Sequence, residues 1–365
     1  MTNTSKSSLF LITTGGTGGH IFPAQALAET LRKRGHPVIE VIDQRALQYT
    51  PSKESFILHL TSGNTLLKKI RLAFELPWAF ARTFHLILKT KPQGIIGFGG
   101  YTTFPLILAA TLLRKPFILH EQNAFVGRVS KWFCPFAKHI SSCFPTLYGL
   151  AEKYQNKVVV TGNPIREKIR SISPSPYKVF TKTGAINLLI IGGSQGARSF
   201  STLIPEALNL LPSPLKKRLH LVQQAQPQTL ETTQLLYKDV GIAADLKPFF
   251  TDIHTQYQKA HLIITRSGAS TVMELEAVGR PAIFIPFPYA MDDHQTYNAL
   301  NLTQREAGWM IKESPALPHE LCVLLENLFS HPKLLENTAT TIHHLAKLDA
   351  NDKLADILES FPKNI

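Results

Sequence analysis

The amino-acid sequence predicts an α/β protein made of two doubly wound parallel-sheet domains that face each other across a cleft. Three observations predict it. Short runs rich in Val, Ile and Leu alternate with longer helix-patterned segments, and the alternation occurs twice along the chain. A Ser/Pro-rich stretch without periodicity, 169–177, separates the two series. Glycine-dense turns follow strand-like runs in both halves, where open parallel sheets bind ligands.

In the first half, residues 9–13, 38–42, 94–98, 117–119, 139–143 and 158–160 read as buried strands. Between the first two, Phe22, Ala26, Leu27 and Leu31 recur at helical spacing until Gly35 stops the pattern. In the second half, 187–191, 219–223, 262–265 and 282–286 are strand-like, with helices expected over 201–211 and 271–278. From Ser314 onward the chain reads as helical and polar, with helical runs at 321–328, 342–348 and 354–358. The expected organisation is a first domain over 1–168, a linker over 169–178, a second domain over 179–345 and a final helical segment over 346–365.

At 365 residues the chain is too long for one comfortable core. With 44% hydrophobic and 18% charged residues it is a folded protein and not a disordered one. Its 39 Lys+Arg against 26 Asp+Glu leave a net charge of +13, which favours an anionic partner: nucleic acid, an acidic membrane surface or a phosphate-rich substrate. Three cysteines, Cys134, Cys143 and Cys322, form no CxxC pair and point to a reducing, cytoplasmic compartment. The N-terminus leads into a four-residue apolar run, 9–12, too short for a signal peptide. The longest apolar stretch, 105–113, falls well short of the roughly 20 residues of a spanning helix. A soluble or peripheral protein is expected.

The first strand runs into Gly15-Gly-Thr-Gly-Gly-His20 and then a helix. Four glycines in six positions let the backbone approach a ligand, and the helix start offers free N–H groups to an anion or a polar sugar group. No Gly-Lys-Ser/Thr follows, so this is not a P-loop. The third glycine of a dinucleotide fingerprint would fall on Ile21, which argues against a dehydrogenase. A tight turn that simply needs small residues is the plain alternative. Gly97-Phe-Gly-Gly-Tyr101 and Gly192-Gly-Ser-Gln-Gly-Ala-Arg198 repeat the arrangement, and Ser194 is placed to offer a hydroxyl and an N–H to a phosphate. Three such turns, spread over both domains, point to a phosphorylated ligand far more strongly than any one of them.

Four polar residues, His120-Glu-Gln-Asn123, follow directly on an apolar strand; they form either an exposed loop or a ligand edge in which Asn123 bridges a sugar amide or hydroxyl. Arg166, in Thr161-Gly-Asn-Pro-Ile-Arg166, is either a surface charge or a contact for base or phosphate. Thr271-x-x-Glu274 matches a capping box, so Glu274 either caps its own helix or grips the two hydroxyls of a ribose. Asp293, His294 and Gln295 are candidates for holding sugar hydroxyls. The sequence contains no Asp-x-Asp and no His/Cys cluster with ligand spacing, so neither a metal nor another cofactor is expected; helix N-termini would stabilise a leaving diphosphate instead.

Taken in order from about residue 9 to about residue 310, these motifs, together with Arg266-Ser-Gly-Ala-x-Thr and His294-Gln-x-x-Asn-Ala299, closely resemble the MurG family. Its members are GT-B-fold enzymes, with two Rossmann-like domains, that transfer N-acetylglucosamine from UDP-N-acetylglucosamine to lipid I to make lipid II of peptidoglycan. The resemblance implies that Thr17, Gly18, Gly19 and Asn123 meet the donor sugar and that Arg166 and Ser194 serve nucleotide and diphosphate. It implies further that the backbone near Phe250 reads the uracil edge and that Ala269, Ser270, Thr271, Val272, Met273 and Glu274 hold diphosphate and ribose. Gln295, rather than its neighbour His294, is assigned to the N-acetylglucosamine. Family chemistry inverts the anomeric carbon, so one base must deprotonate the acceptor hydroxyl, and His20 is the candidate; its alternative role is that of an orienting hydrogen-bond donor. The final segment is implied to pack back on the first domain, and the enzyme to work at the cytoplasmic face of the inner membrane.

Segment 66–82 mixes bulky apolar residues with four cations and one acid. It reads either as a helix lying in an anionic bilayer interface or as an ordinary helix packed on the first sheet, with Pro77 marking a kink or a boundary between two helices. Two other readings compete with the transferase. A nucleic-acid binder would explain the charge, but the cations are spread along the chain and the glycine turns would have no role. A UDP-N-acetylglucosamine 2-epimerase shares the fold and needs no lipid acceptor.

Overall fold

In a computed structural model, described for residues 7–16, 18–48, 55–61, 63, 65–193 and 196–363, the chain forms two compact units. Unit 1 is Met1–Arg166 with Leu348–Ile365, and unit 2 is Glu167–Lys347.

In unit 1, strands β1 (Phe10–Thr13), β2 (Val38–Asp43), β3 (Ser55–Leu58), β4 (Gly94–Gly97), β5 (Phe117–Glu121), β6 (His139–Ser142) and β7 (Val158–Val160) form one sheet in the order β3-β2-β1-β4-β5-β6-β7. Every pairing is parallel. Helices α1 (Gly18–Lys33), α2 (Leu66–Thr90), α3 (Phe104–Leu112) and α4 (Arg128–Phe133) belong to the same unit. Because both sheet faces are covered, the strands are near-continuous apolar runs. Leu11, Val41, Ile95 and Phe117 pack toward α2 and α3, while Phe10, Ile12, Ile96 and Ile118 meet Ala24, Leu27 and Leu31 of α1.

Unit 2 carries β8 (Ile186–Ile191), β9 (Leu219–Gln224), β10 (Ala244–Lys247), β11 (Leu262–Thr265), β12 (Ala282–Phe284) and β13 (Trp309–Met310), parallel in the order β10-β9-β8-β11-β12-β13. Its helices are α5 (Glu167–Arg170), α6 (Phe200–Leu210), α7 (Ser213–Lys216), α8 (Leu230–Asp239), α9 (Ile253–Lys259), α10 (Ala269–Val278), α11 (His294–Thr303), α12 (Leu317–Ser330) and α13 (Pro332–His344). The order reverses between β1 and β4 in unit 1 and between β8 and β11 in unit 2. These are the topological switch points at which such sheets bind ligands.

The last helix, α14 (Ala350–Glu359), belongs to unit 1. Leu354, Leu358 and Phe361 join the α1 face of the core. Arg34 bonds Asp352 at 2.8 Å and Asp356 at 2.6 Å, and the Gln93 side-chain amide donates to the Phe361 carbonyl at 2.6 Å.

Several elements differ from the sequence expectation. Strands β3, β10 and β13 were not expected: β10 and β13 are edge strands without an apolar run, whereas the edge strand β3 carries the short run Phe56 to Leu58, which the expectation omits. The helical run expected at 342–348 straddles the end of α13 at His344. Pro77 sits inside a single 25-residue helix and marks no boundary. Tertiary packing of Ala79, Leu86 and Ile87 holds the helix across the missing N–H.

Candidate functional site

In unit 1 the candidate residues collect at the carboxyl ends of the central strands. The turn after β1 and the turn after β4 pack backbone to backbone: a Cβ placed on Gly100 would lie 2.9 Å from the Gly15 Cα. Gly99 and Gly100 have φ of 77° and 81°, a conformation L side chains rarely adopt. The His20 ring, in the first turn of α1, lies against both turns, 3.4 Å from a Cβ built on Gly15 and 3.5 Å from one on Gly99. A Cβ on Gly19 would meet nothing within 4 Å, so this part of the turn is open. Thr17 lies outside the described residues.

Behind His20 is a buried polar network. His120, at 1% exposure, joins its Nε2 to Asn163 Oδ1 at 3.1 Å and its Nδ1 to Ser141 Oγ at 2.8 Å; Ser141 in turn meets Thr161 Oγ1 at 2.5 Å. The Asn163 oxygen accepts from the proton on Nε2. Burial, helped by the neighbouring His20 and opposed by the Asn163 bond, holds the ring neutral, with its pKa pushed down to about 4. This network ties the ends of β5 and β6 to the segment after β7. Glu121 is also buried, and desolvation raises its carboxyl to about 7 although Ser130 and the Gly127 N–H both donate to it. Asn123 follows β5, half-buried, next to Ala124, whose carbonyl accepts from the Tyr148 N–H at 2.7 Å. Arg166 lays its guanidinium over the Phe22 ring of α1 at 4.7 Å.

Unit 2 has a similar design at its own switch point. Gly192 ends β8, and a Cβ there would fall 2.0 Å from the Ala197 nitrogen, so only glycine lets the turn close on itself. Its N–H donates to the Gln224 side chain at 3.2 Å. Ser194 lies outside the described residues. After β11 the chain turns through Arg266, Ser267 and Gly268 into α10. Gly268 is the N-cap residue, so the first turn of α10, Ala269 to Thr271, presents its backbone N–H groups toward the end of β11. Val272 already donates to the Gly268 carbonyl, and the side chains of Val272 and Met273 are buried in the core.

The capping-box alternative for Glu274 fails here. With the cap at Gly268, Thr271 lies inside the helix and Glu274 one turn further on; the carboxylate instead accepts from the Tyr257 hydroxyl at 3.1 Å. Gln295 is bound into the same neighbourhood: its carbonyl accepts from Ser267 Oγ at 2.7 Å, and its Oε1 accepts from the Phe287 N–H at 3.0 Å. That bond orients the side-chain amide and leaves the NH2 group as the donor end. His294 turns its Nδ1 onto the Met291 carbonyl, and Asp293 accepts from Thr296. Arg266 is a strut: its guanidinium holds the carbonyls of Ile285 and Pro286, Ser199 Oγ and Glu313. Phe250 is buried just after β10, with the Lys247 ammonium 5.8 Å from its ring. Among the described residues no group of three or more His, Cys, Asp or Glu is placed to hold a metal ion.

Residues 10–142 match the glycosyltransferase family 28 N-terminal domain and residues 187–354 its C-terminal domain. The UDP-N-acetylglucosamine--N-acetylmuramyl-(pentapeptide) pyrophosphoryl-undecaprenol N-acetylglucosamine transferase of Methylorubrum populi is 40% identical over 96% of each chain. That of Paramagnetospirillum magneticum is 38% identical over 97% of each. The chain belongs to the MurG family. The crystal structure of Acinetobacter baumannii MurG superposes with a TM-score of 0.78 at 30% identity, covering 97% of this chain and 99% of that one. A putative UDP-N-acetylglucosamine 2-epimerase of Listeria monocytogenes superposes at 0.71 with only 14% identity, a likeness of fold alone. This MurG-family chain thus has the GT-B fold, with a family 28 domain in each unit.

The sequence motifs include His120, Glu121 and Tyr101 without giving any of them a role of its own, and they leave out Asp43 and Arg45. For the first two a signal was present: charged and polar residues placed directly on an apolar strand end. For Asp43 and Arg45 none was visible, because they meet the turn after β1 only across neighbouring strands.

Proposed function

We propose that this chain transfers N-acetylglucosamine from UDP-N-acetylglucosamine to lipid I, the undecaprenyl-pyrophosphoryl-linked muramyl-pentapeptide, forming lipid II with inversion at the anomeric carbon. The observation that carries this reading is the near-full-length 40% identity to transferases of that name. The glycine turns at both switch points support it.

In this reading unit 2 takes the donor. The turn after β8 and the first turn of α10, Ala269 to Thr271, receive the diphosphate, stabilising the charge that develops as UDP leaves. Glu274 accepts the ribose hydroxyls, the backbone beside Phe250 reads uracil, and the Gln295 amide donates to the sugar. Unit 1 takes the acceptor. His20 removes the acceptor proton as the oxygen attacks the anomeric carbon, and Thr17, Gly18, Gly19 and Asn123 line the sugar; Arg166 and Ser194 serve the nucleotide and its diphosphate. No divalent cation is required, because backbone amides take its place.

The enzyme works at an anionic membrane surface on the cytoplasmic side and does not bind nucleic acid. Support comes from α2. Its second half is buried through Ala79, Thr83 and Ile87, whereas in its first half Leu67, Phe74 and Trp78 are 81%, 78% and 70% exposed, interspersed with Lys68 and Arg71. A folded helix leaves such a face uncovered where another apolar phase covers it. No helix among the described residues is long and apolar enough to cross a membrane.

The deciding experiment is radiolabelled sugar transfer from UDP-N-acetylglucosamine to lipid I. Labelled lipid II must appear, and donor must be consumed only when lipid I is present; consumption without lipid I would favour a 2-epimerase. Calorimetry with UDP in chelator tests the metal-free grip, which is lost as an explanation if UDP binds only with added magnesium or manganese.

A further inference from the structure

Asp43 ends β2, Arg45 follows it, and both lie outside every motif that marks the family in this sequence. Asp43 is fully buried, yet its carboxylate faces the turn after β1. Arg45 binds it three times: the backbone N–H donates to Oδ1 at 2.8 Å, Nε to Oδ2 at 3.0 Å, and Nη2 also reaches Oδ2. The guanidinium then lies across Gly16. A Cβ placed on Gly16 would stand 2.6 Å from Nη2, 2.7 Å from Nε and 2.7 Å from the Asp43 oxygen. On its other flank Arg45 is 5.3 Å from the centre of the Tyr101 ring, and the Tyr101 hydroxyl donates to the Thr61 carbonyl at 3.4 Å. One side chain thereby touches the turns after β1, β2 and β4, and through Tyr101 the segment after β3. The turns after β1 and β4 are the two that hold the His20 ring.

We infer that Arg45, locked by Asp43, is a positioning residue that sets the turn carrying His20 against the turn carrying Tyr101. The inference rests on the reading that His20 acts on the lipid-linked acceptor. Gly16 is required because it lets the ion pair lie flat on the turn; Tyr101 gives the guanidinium a face to stack on, which an ammonium cannot use in the same way. Displacement of a catalytic group by about 1 Å costs roughly 100-fold in rate, so the effect belongs in kcat.

The test compares R45A, R45K and D43N with the parent enzyme in the lipid I transfer assay, alongside circular-dichroism melts. Removing the strut should lower kcat by at least about 10-fold in all three variants. The KM for each substrate should stay within a factor of about three, and D43N, which leaves no unpaired buried carboxylate, should melt closest to the parent. Lysine should not rescue, because one ammonium cannot bond the carboxylate through two nitrogens and cover Tyr101 together. A kcat for R45A within twofold of the parent overturns the inference. So does a rise confined to the acceptor KM, which would mark a direct ligand. If R45A melts early, G16A serves instead: it displaces the pair without removing a charge, and a parental kcat there overturns the inference equally. A parent enzyme without transfer activity would count against the proposed function and not against the strut.

Discussion

Replacing Glu121 by glutamine should make unit 1 more stable at neutral pH and leave it unchanged in acid. Burial raises this carboxyl from 4.5 to about 7, and Ser130 and Gly127 offset only part of that. Folding therefore increases the carboxyl's affinity for its proton. Its contribution to stability is complete below pH 4.5 and is lost as pH rises to about 7. At about 1.4 kcal/mol per pH unit the loss amounts to roughly 3 kcal/mol. A glutamine has the hydrogen-bonding pattern of the protonated acid, one donor and one acceptor group, without the ionisation. The adjacent His120 works in the opposite sense. Its ring is depressed from 6.5 to about 4, so its contribution is complete above 6.5 and is lost as pH falls toward 4. The two slopes oppose each other between 4.5 and 6.5 in the parent, and E121Q uncovers the histidine slope alone. Urea unfolding read from Trp78 and Trp132 in a W309F background isolates unit 1, which a two-unit chain requires. The stability difference between E121Q and parent should grow from near zero at pH 4.5 to about 3 kcal/mol above pH 7. Parallel curves would refute desolvation as the cause.

His20→Ala should lower kcat by about 100-fold or more while the donor KM changes little, because only a proton-transfer or orienting function is removed; near-normal kcat excludes His20 as the base. Gly192→Ala should weaken UDP binding by at least about tenfold in calorimetry, since the new methyl displaces the Ala197 backbone and opens the turn; an unchanged Kd would separate this turn from the diphosphate. Phe74→Ser with Trp78→Ser should abolish cosedimentation with anionic vesicles, and Lys68→Glu should weaken it in a salt-dependent way. Neutral vesicles should hold the parent only weakly, and equal binding of parent and variants would remove α2 as the docking face.

The fold was legible because its signals are local. Central strands of a parallel sheet are buried on both faces and read as apolar runs, as at β1, β5, β8 and β11. The edge strands β10 and β13 carry no such run and were not legible, whereas the edge strand β7, three valines, was. Glycine turns marked the carboxyl ends of the central strands, to which the resemblance assigns a donor and an acceptor. Individual roles were less legible. Thr271 and Glu274 match a capping box letter by letter, and only the position of Gly268 at the cap shows that the box is not formed. Leu67 and Ile87 belong to one helix and one apolar pattern, yet one faces outward and the other lies in the core.

By itself, then, the sequence determined the twofold α/β plan, the glycine turns at strand ends and membership of the MurG family, all of which follow from spacing within a few residues or from motif order. Only the tertiary structure decided which turns meet, that His120 reaches Ser141 and Asn163, and that Arg45 lies across Gly16. Those contacts depend on strand order, which brings residues far apart in sequence to adjacent strand ends. Burial then sets their charge state through the loss of water, and no local pattern encodes that loss.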